Sequence, residues 1–138
     1  MTIEIPDHVD TFLRGTRFGV LVDAGEPWPH AAPVWFDWTG EVIEFFTQPT
    51  RPKVTRLQAQ PMASMLVSSE LGEPIFWAAI DGRAELSDDA ADLVEMLAAR
   101  YCDLTKPEFV ALHDDIVAVR NDFLRVTIAP ERCRYFKG

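Results

Sequence analysis

The stretch that decides the fold runs from Pro29 to Pro61 and reads PHAAPVWFDWTGEVIEFFTQPTRPKVTRLQAQP. Its first half contains two apolar runs, His30 to Trp38 and Val42 to Thr47, joined at Thr39-Gly40. Runs of β-branched and aromatic residues bounded by turn residues predict two strands connected by a turn. Pro33 has no N–H to donate to a strand ladder, so it predicts a sheet edge, a bulge or a place where a ligand replaces strand pairing.

The second half of this stretch predicts a short helix that begins at Pro52 and ends before Pro61, because proline fits the first helical turn but stops a helix further on. Thr47 ends the preceding strand, and Arg51 and Lys53 stand where the helix begins. A helix N-terminus offers free N–H groups and a partial positive charge, to which guanidinium and ammonium groups add phosphate-binding donors. The spacing indicates a candidate phosphate site, although a solvated basic turn explains the same residues.

Aromatic residues are dense just before this helix. Trp35, Phe36 and Trp38 lie in one predicted strand, and Phe45 and Phe46 lie in the next. A flat aromatic ligand could stack on such side chains or accept hydrogen bonds from the strand edge. Packing in a barrel core is the simpler explanation of any one of these side chains.

The rest of the chain adds further short strands around this segment. They are expected over Phe18 to Ala24, Met62 to Ser69, Ile75 to Leu86, Phe123 to Ile128 and Arg132 to Phe136. Gly82 predicts a bulge or kink inside the long third run. The last two runs predict a closing strand pair around a turn at Ala129-Pro130.

Helical patterns are expected at two further places. A short helix is expected over Asp7 to Arg14, and two consecutive helices are expected between the third and fourth of these runs. Ser87 is the expected N-cap of the first helix of that pair, and Thr105 with Glu108 predicts a capping box for the second. This order favours a closed barrel with the helix pair inserted on its side. No GxGxxG or P-loop string is present.

The composition limits the classes of partner. A chain of 138 residues fits a single domain covering 1–138, and its formal net charge of -9 argues against nucleic acid as the main partner. An anionic ligand would need a local basic cluster. The beginning of the chain has no secretory pattern, no apolar run is long enough to span a membrane, and Cys102 and Cys133 do not form a disulfide framework, so a cytoplasmic protein is expected. The three histidines show no metal-ligand spacing, and no metal is expected.

Several pieces of this sequence, taken in order, resemble one known superfamily. PHAAPVWFDWTGEVIEFFT, RPK, LQAQPMASMLVSS and IDGRAEL resemble the pyridoxamine 5'-phosphate oxidase-like superfamily, and more narrowly its flavin/deazaflavin-dependent oxidoreductases. The resemblance implies a mainly β fold with helices: a six- or seven-stranded antiparallel split β-barrel that carries a helix pair before its last strands. It also implies a homodimer with two cofactor sites at the subunit interface.

The resemblance assigns cofactor-binding positions in this chain. Those matching the phosphate-binding stretch of the family are Thr47, Arg51 and Lys53, with Ser68 near the phosphate group. Those matching the two strands beside the isoalloxazine ring are Pro33, Val34, Trp35, Phe36, Phe45 and Phe46. Arg56 stands where the family often has Asn, which adds a charge near the expected phosphate.

The function that the resemblance implies is hydride transfer between FMN, or alternatively F420, and an unknown flat small molecule. True pyridoxamine 5'-phosphate oxidase activity is not expected, because the chain lacks a recognisable C-terminal substrate-binding extension. The alternative is a non-catalytic flavin or haem carrier of the same fold. In a haem carrier, His30 or His113 would be the candidate axial ligands apart from His8.

Overall fold

The computed structural model describes residues 3–138 and contains one seven-stranded antiparallel sheet with four α-helices. The strands are β1 (Gly19–Asp23), β2 (His30–Val34), β3 (Asp37–Trp38), β4 (Ile43–Thr47), β5 (Met62–Ser68), β6 (Phe76–Ser87) and β7 (Leu124–Lys137). The helices are α1 (Asp7–Leu13), α2 (Pro52–Ala59), α3 (Ala91–Tyr101) and α4 (Pro107–Ala118), and a 3₁₀ turn covers Arg120–Asp122. The predicted split barrel with an inserted helix pair is confirmed.

Strand order explains why the sheet curls. The order is β2-β1-β5-β6-β7-β4-β3, so β2 and β3 are the two edges of the sheet, yet only Trp35 and Phe36 separate them along the chain. Three residue steps reach about 10 Å, whereas the edges of a flat seven-stranded sheet would lie about 29 Å apart. The sheet must therefore bend until its edges meet, which produces the half-barrel.

The core lies on the concave face of this sheet. Alternation along the strands gives β1, β4 and β5 a regular pattern of buried and partly exposed residues. The buried side chains of this core include Leu21, Phe36, Ile43, Phe45, Met65, Ile80, Val126 and Ile128, and Val9 and Leu13 of α1 join them. Helix α1 therefore belongs to the barrel core and does not stand apart from it.

The C-terminal part of the chain departs from the predicted strand pair. Instead of two strands around a turn at Ala129-Pro130, β7 is one strand that pairs with β6 on both sides of Pro130, from Arg125 to Lys137, so that prediction is wrong. The register shifts between Asp81 and Gly82 of β6, where Glu131 of β7 is the unpaired extra residue. Pro130 is tolerated because the pairing of β7 with β4 ends at Ile128, which leaves the proline next to a bulge at a free edge.

The helix pair begins later than the capping patterns predict. Ser87 is the last residue of β6, paired with Arg125, and α3 starts after Ala90 without a side-chain cap. The predicted capping box is also wrong, because the Thr105 hydroxyl donates to Asp103 at 2.6 Å and α4 starts at a proline. Strand pairing with Arg125 takes the backbone of Ser87, and the Asp103 carboxylate takes the hydroxyl of Thr105. Neither residue is therefore free to cap a helix.

One arginine joins the helix pair to the sheet. Arg125 of β7 donates to Glu44 of β4 at 2.5 Å, to Asp92 of α3 at 2.6 Å and to the backbone carbonyl of Asp89 at 2.7 Å. The planar guanidinium allows one side chain to bind three acceptors in different directions. The start of α3 is thereby held against the outer surface of β4.

Replacement of Gly82 by alanine should destabilise the bulge. A Cβ atom at this position would lie 2.0 Å from the carbonyl oxygen of Ala129, so one of the two strands must shift. Urea denaturation should show a loss of about 2 to 3 kcal/mol in the free energy of unfolding. Gly72→Ala is the matched control: that site has φ +94 but nothing within 4 Å, so a cost of only about 1 kcal/mol is expected. Equal losses in the two variants would contradict this explanation.

Candidate functional site

A cleft of about 370 Å³ opens where the edge strand β2, the end of β4 and the beginning of α2 meet. Most of its wall is apolar, and its basic side chains are confined to the end formed by α2. The lining residues are Phe18, Pro33, Val34, Trp35, Phe46, Thr47, Gln48, Arg51, Lys53, Ile116 and Phe123. A small number of polar groups at one end of a largely apolar cleft is typical of a small-molecule site.

The aromatic wall of the cleft is a set of rings that fix one another. Trp35 stacks on Tyr101 of α3, with ring centroids 5.3 Å apart and planes 8° apart. Phe46 packs edge-on against Trp35 at 6.2 Å and against Phe123 at 4.9 Å. Offset stacking and edge-to-face packing are the favoured geometries of aromatic pairs, so the wall offers a flat and well-defined surface.

Tyr101 also fixes the backbone beside the cleft. Its hydroxyl donates to the carbonyl oxygen of Arg17 at 2.6 Å, and the amide of Phe36 lies 3.4 Å from the same hydroxyl oxygen. Burial raises the pKa of the Tyr101 hydroxyl, although the contact with the Phe36 amide opposes this effect. The hydroxyl therefore stays protonated and holds the start of β1 against the link between β2 and β3.

The basic end of the cleft is built by the first turn of α2. Arg51 occupies the N-cap position, Pro52 takes the first helical position, and Lys53 follows. Burial and the neighbouring Arg51 charge lower the pKa of the Lys53 ammonium group. Within residues 3–138, neither side chain has a carboxylate partner, so both cations are available to an anionic ligand.

Arg56 is in a different situation, although it lies one turn further along α2. It donates to both carboxylate oxygens of Asp23 at the end of β1, at 2.6 and 3.1 Å, and the Asp23 side chain is 2% exposed. This bidentate pair ties α2 to β1. Arg56 does not line the cleft.

The structure brings together seven of the ten residues expected to bind a cofactor. They are Pro33, Val34, Trp35, Phe46, Thr47, Arg51 and Lys53. Phe36 and Phe45 instead point into the barrel core and are 2% and 0% exposed, so only their backbone can face a ligand. Ser68 lies on the convex face of the sheet, in another cavity. The role of each residue in cofactor binding stays a prediction.

Four lining residues were not singled out from the sequence as site residues: Phe18, Gln48, Ile116 and Phe123. Ile116 belongs to the apolar stripe of α4, and Phe123 follows the 3₁₀ turn at the end of the helix pair. An apolar residue in a helical stripe carries no signal that separates a cleft wall from a core position. Only the folding of the helix pair over the barrel brings Ile116 and Phe123 to the cleft.

Among residues 3–138, no cluster of three or more His, Cys, Asp or Glu side chains is arranged to hold a metal ion. None of the helices in this range has the length and apolar character needed to cross a membrane.

Comparison with known proteins agrees with this geometry. The fold and the cleft define a split-barrel protein, and the sequence profile of the pyridoxamine 5'-phosphate oxidase family matches residues 5–137. The chain therefore belongs to the pyridoxamine 5'-phosphate oxidase family. No curated protein matches its sequence.

Solved structures share the fold at low sequence identity. The conserved hypothetical protein Rv2991 from Mycobacterium tuberculosis is 20% identical with a TM-score of 0.72, over 99% of this chain and 86% of that protein. A structure described as an F420 reductase is 18% identical with a TM-score of 0.67, over 94% and 98% of the two chains. A FAD-binding protein from Mesorhizobium loti is 19% identical with a TM-score of 0.63, over 98% and 95%.

Tyr101→Phe should destabilise the protein without removing the stacked ring. The variant loses the hydrogen bond to Arg17, which is worth about 1 kcal/mol in the free energy of unfolding, measured by urea denaturation. Tyr135→Phe is the control, because the Tyr135 hydroxyl makes no hydrogen bond within the described part of the chain and the residue is 45% exposed. A Tyr101→Phe protein as stable as the Tyr135→Phe protein would contradict the role assigned to this hydroxyl.

Proposed function

We propose that this protein is an oxidoreductase that binds FMN in the cleft and transfers hydride between the cofactor ring and a flat small molecule. The observation that carries the proposal is the pairing of an aromatic wall with two cations, Arg51 and Lys53, at the opposite end of one cleft. A flavin mononucleotide has the same division, with a flat ring at one end and a phosphate at the other. Membership of the pyridoxamine 5'-phosphate oxidase family supports the same cofactor class.

The residues present fit such a cofactor. Arg51 and Lys53 would bind the phosphate together with the N-terminal amides of α2, because ionised donors make the strongest phosphate contacts. Trp35 and Phe46 would face the ring, and the exposed edge at Pro33 leaves strand β2 open on that side. Thr47, the last residue of β4, is 6% exposed and also lines the cleft.

The cofactor would supply the redox chemistry, and the chain would supply binding, orientation and exclusion of water. Among the described residues, the lining contains no carboxylate and no imidazole, so this wall offers only Lys53 as an ionisable acid. Hydride transfer between two rings held face to face needs no such group from the protein. What the chain must do is hold the rings parallel and dry, which suits a rigid aromatic wall.

FMN fits the basic end better than F420 does. F420 carries an anionic oligoglutamate tail beyond its phosphate, which calls for further cations along the path of the tail. The next cation along α2 is Arg56, and Asp23 already neutralises it. F420 is therefore the second candidate for this cleft. The fold that the chain shares with an F420 reductase supports it as a candidate.

A non-catalytic carrier is the alternative function. For haem carriage, His30 is exposed on β2 and His113 lies on α4 beside Asp114, and neither imidazole lines the cleft. The geometry thus favours a flavin over haem. Carriage is separated from catalysis by reducing the bound cofactor anaerobically and adding flat conjugated acceptors: reoxidation of the flavin with reduction of an acceptor supports catalysis, and no reoxidation by any acceptor supports carriage.

We also propose a homodimer that meets through the convex face of the sheet. In β5, Met65 and Val67 point into the core while Leu66 points outward, and Trp77 and Ala79 of β6 lie beside Leu66 on the same face. These outward-facing side chains line a mostly apolar cavity of about 420 Å³, together with Ser64, Ser68 and Arg134. A second copy would cover this apolar face and bring Ser68 to the interface, where the resemblance expects the cofactor sites.

Removal of the two cations should abolish tight FMN binding while leaving the ring site intact. Arg51→Ala combined with Lys53→Ala should cost about 3 kcal/mol or more, a rise of roughly 100-fold in Kd, because each side chain gives up a charge-assisted contact. Flavin fluorescence quenching measures this Kd. Riboflavin, which has the ring but no phosphate, should bind the variant and the wild type equally.

The matched control for this experiment is Arg83→Ala combined with Lys106→Ala, which removes two exposed cations away from the cleft. It should leave the FMN affinity within about twofold of wild type. Unchanged FMN affinity in the Arg51/Lys53 variant, or an equal loss for riboflavin, would remove the phosphate-site assignment. A folded wild type that binds neither FMN nor F420 would overturn the proposed function.

Leu66→Glu should convert the dimer into a monomer. A carboxylate buried at an apolar interface is not solvated, so the dimer should dissociate while each outward-facing Glu remains compatible with the folded monomer. Light scattering should report a mass of twice 15.6 kDa for wild type and 15.6 kDa for the variant. Leu112→Glu on α4 is the control and should stay dimeric. A monomeric wild type would contradict the proposed assembly.

A further inference from the structure

We infer that Asp23 determines which cofactor tail the cleft accepts, by withholding Arg56 from it. This inference rests on the proposed function and deepens it, because it names the residue that decides between a cofactor ending in one phosphate and one with a polyanionic tail. Asp23 lies on β1, outside the cleft, so it would act on specificity through another side chain.

The geometry of α2 sets out the possible path of an anionic tail. Lys53 and Arg56 are three residues apart on this helix, so their side chains emerge on the same side, one turn apart. Lys53 lines the cleft, and Arg56 is therefore the next cation that a tail leaving the phosphate along α2 would meet. Burial and the Arg51 charge are the main causes that lower the pKa of Lys53, and the smaller, opposed effects of Asp23 and Arg56 show that both members of the ion pair lie near Lys53.

Asp23 removes that cation from the path. Both of its carboxylate oxygens accept from Arg56, at Nε with 2.6 Å and at an Nη with 3.1 Å. The carboxylate is 2% exposed, whereas the Arg56 side chain is 21% exposed. A buried charge-assisted pair with both oxygens engaged holds the guanidinium in one orientation and cancels its charge at a distance.

The basic end of the cleft therefore carries two positive charges, those of Arg51 and Lys53. Two positive charges match one phosphate dianion. A tail with additional carboxylates would meet a neutral pair and gain no attraction from it. Replacing the Asp23 carboxylate with an amide of the same shape would leave Arg56 charged and free to turn toward the helix start. The specificity of the cleft should then shift toward the more highly charged cofactor.

The test compares the Kd values of FMN and of F420 carrying an oligoglutamate tail in four proteins: wild type, Asp23→Asn, Arg56→Gln and the double variant. Asp23→Asn should lower the ratio of the F420 Kd to the FMN Kd roughly tenfold, the effect of one solvent-screened charge contact. The FMN Kd itself should change by less than about twofold, since its phosphate is already neutralised.

The other two variants keep the inference falsifiable if Asp23→Asn folds poorly. The double variant replaces the ion pair with a neutral amide pair, and its ratio should return to the wild-type value. Arg56→Gln alone leaves the Asp23 carboxylate without its partner near Lys53, so this variant should not lower the ratio. A tenfold loss of F420 affinity in the double variant, which carries no charge at either position, would overturn the inference, since Arg56 would then already serve the cleft.

Failure of this inference is distinguishable from failure of the proposed function. If wild type binds FMN and Asp23→Asn shows the wild-type ratio, Asp23 has no part in specificity, and the cofactor site stands. If folded wild type binds neither cofactor, the proposed function falls and this inference falls with it. Circular dichroism of each variant establishes that it is folded before the affinities are compared.

Discussion

The two-residue link between the edges of the sheet is the constraint on which the rest of the structure depends. Trp35 and Phe36 join β2 to β3, which are the first and last strands in the order of the sheet. A link this short forces the sheet to curl, and consecutive residues of an extended chain point to opposite sides. Phe36 therefore enters the core while Trp35 faces the cleft. A single dipeptide thus closes the half-barrel and starts the wall of the candidate site.

Tyr101 connects this constraint to the inserted helix pair. Its ring lies behind Trp35, and its hydroxyl contacts the backbone of Phe36 in the link and of Arg17 just before β1. At the other end of α3, Arg125 binds the first turn through Asp92 and the Asp89 carbonyl. The helix pair is therefore attached to the barrel at two places by specific polar contacts, which explains how an insertion can form part of a defined cleft.

Structure could be predicted from the sequence where a residue type restricts the backbone in one way. It was predicted less well where the same residue type serves several structural roles. Pro33 and Gly82 were correctly interpreted as an edge and a bulge, because a missing N–H and a missing Cβ each limit the backbone in one way. Ser87 and Thr105 misled the prediction, since hydroxyl side chains serve caps, strand ends and turns alike. The continuity of β7 through Pro130 could not be foreseen, because it depends on β4 ending beside it.

The same distinction holds for the candidate site. The phosphate-binding pattern at Arg51 and Lys53 is local, so the sequence predicts it, and these two residues do lie at one end of a cleft. The partner of Arg56 is 33 residues away on β1, and no sequence spacing reveals that Asp23 neutralises it. Likewise, strand alternation alone could not tell Trp35 from Phe36, because the curl of the sheet decides which face is the core.

Helix α4 has a consequence for the dynamics of the molecule. It contributes no buried side chain, packs mainly on α3, and carries Ile116, which forms one wall of the cleft. Segments with few buried apolar contacts open locally at a small fraction of the global unfolding free energy. From this difference in burial we expect the barrel core to have the higher opening free energy and α4 the lower one. Hydrogen exchange in α4 should therefore proceed by local opening, which would make the Ile116 side of the cleft more mobile than the barrel.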